Sequence, residues 1–251
     1  MARAISESEK TRPLVMLHGL LGGPENWYAT IPHLPEKCNP IVPSIPFFDN
    51  GLNLSNVQAV VEYVRNHLRD IRADGFVLMG NSLGGHIATL LAVEIPERVH
   101  GLILTGSSGL FERGFNKIPG AHPEIEWIYN RCCEVFYDSR HVTDALVESV
   151  IDIIYDRRKA RILIRLAKSA KRENIVDRLQ EISCPTLLIW GKQDRVTEPA
   201  VAEEFHNRIS NSKLTWLDNC GHAPMIEHPI SFGREVSQWW ATCDWPQVST
   251  T

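Results

Sequence analysis

The sequence predicts an α/β protein: a doubly wound, mostly parallel sheet of about six strands carrying an all-helical insertion. Three observations lead there. Short apolar runs of the kind buried on both faces of a parallel sheet alternate with segments of helical periodicity, the rhythm of βαβ units. One long stretch, 109–182, breaks that rhythm, with helical spacing and no good strand candidate. The length, 251 residues, accommodates one large domain with a sizeable insertion.

The elements follow in chain order. Residues 14–18, Leu-Val-Met-Leu-His, form an apolar run ending at Gly19 and read as a buried strand. A short helix is expected over 26–36, made irregular by Pro32 and Pro35. Residues 40–45 read as a second strand, which Pro43 places near a sheet edge. In the next helix Val57, Val60, Val61, Val64, Leu68 and Ile71 share one face, and Ser55 and Gln58 have the spacing of a capping box. Strands are expected at 76–79, 99–104, 185–190 and 214–217. Helices are expected from Leu83 to about Ile95, where Pro96 stops the run, and over 198–209 and 228–240.

Within 109–182 four helical segments are expected. Ile125, Ile128, Cys132 and Val135 mark the first, and Leu146, Val147, Val150, Ile151 and Ile154 the second. Residues 162–166 mark the third, and Ile175, Val176, Leu179 and Ile182 the fourth. The domain reading is a core of 1–108 and 183–251 with 109–182 inserted.

Composition narrows the function classes. The chain has 26 Lys+Arg against 30 Asp+Glu, a formal net charge of −4, and 43% hydrophobic residues. That is the balance of a folded globular enzyme and argues against disorder. Mild acidity, with no block of Lys/Arg standing out, argues against nucleic acid as a partner. The polar N-terminus lacks the apolar run of a secretory signal, and no stretch is apolar enough to span a bilayer, so a cytoplasmic location is expected. The six cysteines have no CxxC spacing and read as free thiols, with no zinc site.

Three places concentrate chemistry. Gly80-Asn81-Ser82-Leu83-Gly84 is a G-x-S-x-G motif lying between a buried strand and a helix. A sharp turn there holds the serine in a strained conformation at the positive end of the helix. His222, in Gly221-His222-Ala223-Pro224, follows the last strand, where an imidazole can take a serine proton. Asp194, in Gly191-Lys192-Gln193-Asp194, follows the penultimate strand and can fix the imidazole tautomer. After strand 99–104 the first competing carboxylate is Glu112. His86 is expected to pack beside the serine turn, and His228 to be a surface residue at a helix start.

With those motifs the sequence resembles the α/β-hydrolase superfamily. The matching parts are His18-Gly19-Leu20-Leu21-Gly22, the turn at 80–84, Gly191 with Asp194, and Gly221-His222, in the chain order Ser, Asp, His. The resemblance implies an oxyanion hole from the backbone N–H groups of Leu20 and Leu83, and makes 109–182 a helical cap. The sequence departs from the family pattern at its start: only twelve residues precede Pro13, too few for the hairpin many members carry, so a reduced sheet of about six strands is expected. The activity expected is a serine carboxylic-ester hydrolase acting on small to medium, largely apolar substrates. Ser82, His222 and Asp194 would form its triad, with no metal or organic cofactor. Alternatives are a carbon–carbon bond hydrolase of ring-fission products and a cofactor-free haloperoxidase or perhydrolase. A small-molecule receptor on the same fold is the non-enzyme alternative. The expected partner is a small-molecule ester, and the oligomeric state is left open.

Overall fold

A computed structural model of the protein describes residues 11–111 and 123–246. The polar N-terminus and Glu112 lie outside them. The chain runs β1 (Arg12–Leu17), β2 (Cys38–Ile41), α1 (Val57–Arg69), β3 (Phe76–Asn81), α2 (Leu83–Glu94) and β4 (Val99–Thr105). It continues through α3 (Ile125–Cys133), α4 (Asp144–Tyr155), α5 (Arg157–Arg172), β5 (Thr186–Gly191), α6 (Pro199–Arg208), β6 (Ser212–Leu217), α7 (Pro224–Glu227) and α8 (Pro229–Thr242). The six strands form one sheet in the order β2-β1-β3-β4-β5-β6, and every neighbouring pair is parallel.

Alternation along the central strands builds two cores. Val15, Leu17, Leu78, Leu102, Leu104, Leu188 and Trp190 pack with α1, α2 and α6. Leu14, Met16, Val77, Met79, Ile103, Leu187 and Ile189 meet α8 and Trp27 on the other side. Both faces being covered explains why the strands read as continuous apolar runs. All six strands end their carboxyl sides at one edge, and the residues of interest gather there.

Several local expectations are corrected. The helix expected over 26–36 is two short 3-10 turns, Pro24–Trp27 and Ile31–His33. Proline sits at the start of each, and Pro35 prevents continuation. The second strand is 38–41 and not 40–45, because the Ile45 N–H leaves the sheet and donates to His18 Nε2 at 2.9 Å. No capping box forms at α1. Asn56 is the cap, its Oδ1 accepting from the Ala59 N–H at 2.9 Å, while the Ser55 hydroxyl donates to Asn53 Oδ1.

The chain between β4 and β5 is helical, with no strand among its described residues. The fourth expected helix is a 3-10 helix, Val176–Glu181. Ile128, Cys132, Val147, Val150 and Ile154 make a small separate core, so these apolar faces of α3 and α4 pack on each other. Ile125, expected on that face, is exposed. The helix α5 joins the main core through Leu166. The reading that no block of Lys/Arg stands out is wrong for α5. Eight of its sixteen residues are Lys or Arg and none is acidic. Averaging over an acidic chain hid it. Among the described residues no helix is long and apolar enough to cross a membrane.

Candidate active site

The serine is placed by a strained turn. β3 ends at Asn81 and α2 begins at Leu83, so Ser82 alone reverses the chain, at φ 54° and ψ −122°. For a residue with a Cβ such a conformation costs about 1–3 kcal/mol and persists only where neighbours fix it. Here the Ser82 N–H donates to the Thr105 carbonyl at 3.3 Å, and its carbonyl accepts from the N–H groups of His86 and Ser108, each at 3.1 Å. The turn closes tightly because Gly84 lacks a side chain. A Cβ there would lie 2.2 Å from the Leu17 carbonyl oxygen at the end of β1.

His222 and Asp194 meet after β5 and β6. His222 Nδ1 lies 2.9 Å from Asp194 Oδ2, and both side chains are buried. A carboxylate only accepts, so Nδ1 carries the proton of this bond, which in a neutral imidazole leaves the lone pair on Nε2. Asp194 is held by three further donors. The N–H groups of Val196 and Thr197 reach Oδ1 at 2.8 and 2.9 Å, and the Thr197 hydroxyl reaches Oδ2 at 2.9 Å. The Thr197 oxygen also lies 3.2 Å from His222 Nδ1.

The histidine loop is tied to the serine turn and to the helical insertion. Asn81 Nδ2 donates to the carbonyls of Thr105 and His222, both at 3.0 Å. Gly106, at φ 51°, lies against the imidazole, and a Cβ there would stand 2.7 Å from Nδ1. The His222 N–H donates to the Val135 carbonyl at 2.7 Å. Glu227 takes the Gly221 N–H on Oε1 at 2.6 Å, and those of Tyr137 and Asp138 on Oε2 at 2.8 and 3.2 Å.

The sequence reading named Ser82, Asp194 and His222; the structure joins Asp194 to His222 and gives no hydrogen bond from the Ser82 hydroxyl to either. The reading passed over Asn81, Thr197 and Glu227, which tie this region together. Asn81 and Thr197 carried a local signal, adjacency to Ser82 and the three-residue spacing from Asp194 that suits an Asx turn. Glu227 carried none. Leu20 lines a cavity of about 360 Å³ with Leu21, Glu25, Ile45, Phe47, Asp49 and Ile153 among its walls. Ser82, Asp194 and His222 are not among its lining residues. Leu83 is buried in the core. His18 fixes the loop it begins, donating from Nδ1 to the Gly19 carbonyl while Nε2 accepts from Ile45. Burial lowers its pKa, opposed by that carbonyl and by Glu25. His228 is half-buried and donates to the Asn219 carbonyl at 2.8 Å. Among the described residues no group of three His, Cys, Asp or Glu side chains is placed to hold a metal.

His86 packs beside the turn, as expected, and is fully buried. Its Nε2 donates to the Glu173 carbonyl at 3.0 Å, and Nδ1 has no partner among the described residues. Burial pushes its pKa down to about 4, against a partial rise from that carbonyl. The folded state therefore resists protonation that the unfolded chain accepts near pH 6.5. Stability from this residue is complete above pH 6.5 and falls as pH drops towards 4, by about 3 kcal/mol in all. Urea midpoints of wild type and His86→Gln between pH 7.5 and 4.5 check this. The variant is expected to lose markedly less stability on acidification. Equal losses would assign the acid sensitivity elsewhere.

A strained serine between strand and helix, with a buried His–Asp pair behind the same sheet edge, defines an α/β-fold hydrolase built around a tight elbow. The chain belongs to the alpha/beta hydrolase family, whose model matches residues 14–232. It is 24% identical over 243 residues to monoacylglycerol lipase ABHD6 of Bos taurus, covering 86% of this chain and 71% of that protein. It is 33% identical over 173 residues to 2-hydroxy-6-oxononadienedioate/2-hydroxy-6-oxononatrienedioate hydrolase of Cupriavidus pinatubonensis, covering 63% of this chain and 60% of that one. Among solved structures, an alpha/beta hydrolase enzyme from a lagoon-sediment metagenome superposes with a TM-score of 0.75 at 33% identity, covering 92% and 91% of the two chains.

Proposed function

We propose that the protein is a serine hydrolase of neutral carboxylic esters. The observation that carries this reading is the buried His222–Asp194 pair behind the strained Ser82 turn. Ser82 Oγ attacks the ester carbonyl while His222 Nε2 takes its proton. The backbone N–H groups of Leu20 and Leu83 donate to the oxyanion that develops, stabilising the transition state more than the ground state. His222 then gives the proton to the departing alkoxide, leaving an acyl-serine. A water molecule, deprotonated by His222, attacks the acyl carbon; the bond to Ser82 Oγ breaks, His222 returns the proton to that oxygen, and the acid leaves. Asp194, held by Thr197 and Val196, keeps the imidazole in the required tautomer and stabilises the imidazolium. In this reading residues 109–182 form a lid that selects the substrate. Its Val135 carbonyl also positions His222, so the lid contributes to the geometry of the chemistry.

The cavity beside Leu20 favours neutral substrates. Among the described residues its walls are mostly apolar, its charged residues are Glu25 and Asp49, and no cationic side chain lines it. An acyl chain fits the apolar walls, and hydroxyl groups of an alcohol can donate to the carboxylates. The relative named as a monoacylglycerol lipase has a substrate of that kind. Carbon–carbon hydrolysis is the second reading, favoured by the relative named as a dienedioate hydrolase. A dianionic substrate would meet two like charges in this cavity.

The test is labelling with a fluorophosphonate, mapped by mass spectrometry, together with kcat/KM for neutral p-nitrophenyl esters and for an anionic ring-fission product. Ser82 is expected to carry the label, and the neutral esters to be preferred by about 100-fold or more. A label on another residue overturns the nucleophile. A preference for the anionic product establishes the second reading.

A further inference from the structure

We propose that the exposed face of α5 binds the surface of an anionic lipid bilayer. Arg157, Arg161, Ile164, Arg165, Lys168, Lys171 and Arg172 are all exposed. At 100° per residue these seven positions fall within an arc of about 120°, so they form one stripe about 24 Å long. The opposite side, Leu163, Leu166 and Ser169, is buried in the protein, and the Ser169 hydroxyl accepts the Val57 N–H at the start of α1. The stripe is therefore rigidly presented.

Its charge is not consumed within the molecule. Arg158 spends its guanidinium on the Phe48 and Asp49 carbonyls, and Lys159 pairs with Asp152. Asp156 caps the helix by accepting the N–H groups of Arg158 and Lys159, and Glu173 at the far end accepts the Ser169 hydroxyl. Among the described residues, no ion pair engages any of the six cations of the stripe. Setting the eight basic residues of α5 aside leaves 18 against 30 acidic ones, so the rest of the chain repels an anionic surface. The attraction is confined to this one face and fixes an orientation.

Two features favour lipid over nucleic acid. The stripe has no aromatic side chain on which a base could stack, and it carries an exposed isoleucine at its centre. Clusters of four to eight Lys/Arg on a helix match the density that anionic lipid headgroups recognise. The position also matters. Arg158 fastens α5 to Phe48 and Asp49, which line the cavity beside Leu20, and Leu52 in the same loop is exposed. A bilayer against the stripe lies next to the cavity.

The test is co-sedimentation of the full chain with phosphatidylcholine vesicles and with vesicles containing about one third phosphatidylglycerol. Binding to the second alone, released by about 0.5 M NaCl, is expected. Each cation adds about five-fold to partitioning, so the triple variant Arg161→Gln, Arg165→Gln, Lys168→Gln should bind about 100-fold more weakly. Circular dichroism and its thermal midpoint report whether that variant is folded. If it is not, the single variant Arg165→Gln carries the test with its five-fold loss. Absence of binding, equal binding to both vesicles, an unaltered folded variant, or retention only on a duplex DNA fragment overturns the proposal. None of these readouts requires catalysis, so they stand apart from the assignment of Ser82.

Discussion

Replacing His222 with alanine is expected to lower kcat on a p-nitrophenyl ester by about 10⁴–10⁶-fold with the fold intact. The histidine loop is held by main-chain bonds, the His222 N–H to Val135 and its carbonyl to Asn81, and alanine keeps both. Asp194 retains its bonds from Val196 and Thr197. What disappears is the imidazole proposed to take the serine proton. Ser82→Ala should be comparably inactive, and the double variant no worse than either, because nucleophile and base act as a unit. Steady-state rates of the three variants, with circular dichroism as the folding control, decide the matter. Activity near wild type in His222→Ala removes the residue from the mechanism.

The second large effect is steric. Gly84→Ala is expected to destabilise the protein by more than about 3 kcal/mol and to lower Tm by about 10 °C. The three atoms nearest the new Cβ are the Leu17 carbonyl oxygen and carbon and the His18 carbonyl oxygen, at 2.2, 2.6 and 2.7 Å. All belong to the backbone, so no side chain can rotate away. Relief requires α2 to withdraw from β1, which carries Leu83 away from Leu20 and lowers kcat as well. Gly51→Ala, where the nearest atom is Asp49 Oδ1 at 3.2 Å in an exposed loop, is the control expected to stay near wild type. A Gly84→Ala protein as stable as that control would show that the elbow is looser than its contacts imply.

The sheet was legible because each central strand is apolar on both faces, a pattern that needs no partner to be recognised. The elbow was legible because glycine, serine and the strand–helix junction occur within six residues. Edges were harder. The second strand was displaced because Ile45 gives its N–H to His18, 27 residues away. The cap of α1 went to Asn56 in place of Ser55, a choice between adjacent good cap formers that side-chain direction settles. Glu227 could not be read at all, since its partners at Tyr137 and Asp138 lie about 90 residues off and are backbone groups without chemical signature. The charge of α5 was present in the sequence and lost by averaging. Windowed composition, taken helix by helix, exposes it.

The contact between Asn81 and His222 spans 141 residues of chain. At about 5–20 residues per second, a ribosome that has just made the elbow needs on the order of ten seconds more to deliver the histidine. During that interval β1, β3 and β4 can assemble around Ser82, but the proton acceptor does not yet exist. β5 joins later through three register pairs with β4, Leu102 with Thr186, Ile103 with Leu187 and Leu104 with Leu188. Under the proposed mechanism the nascent polypeptide lacks its base until the last quarter, which holds Asp194 and His222, emerges. Chain order would then withhold hydrolysis from the half-made protein.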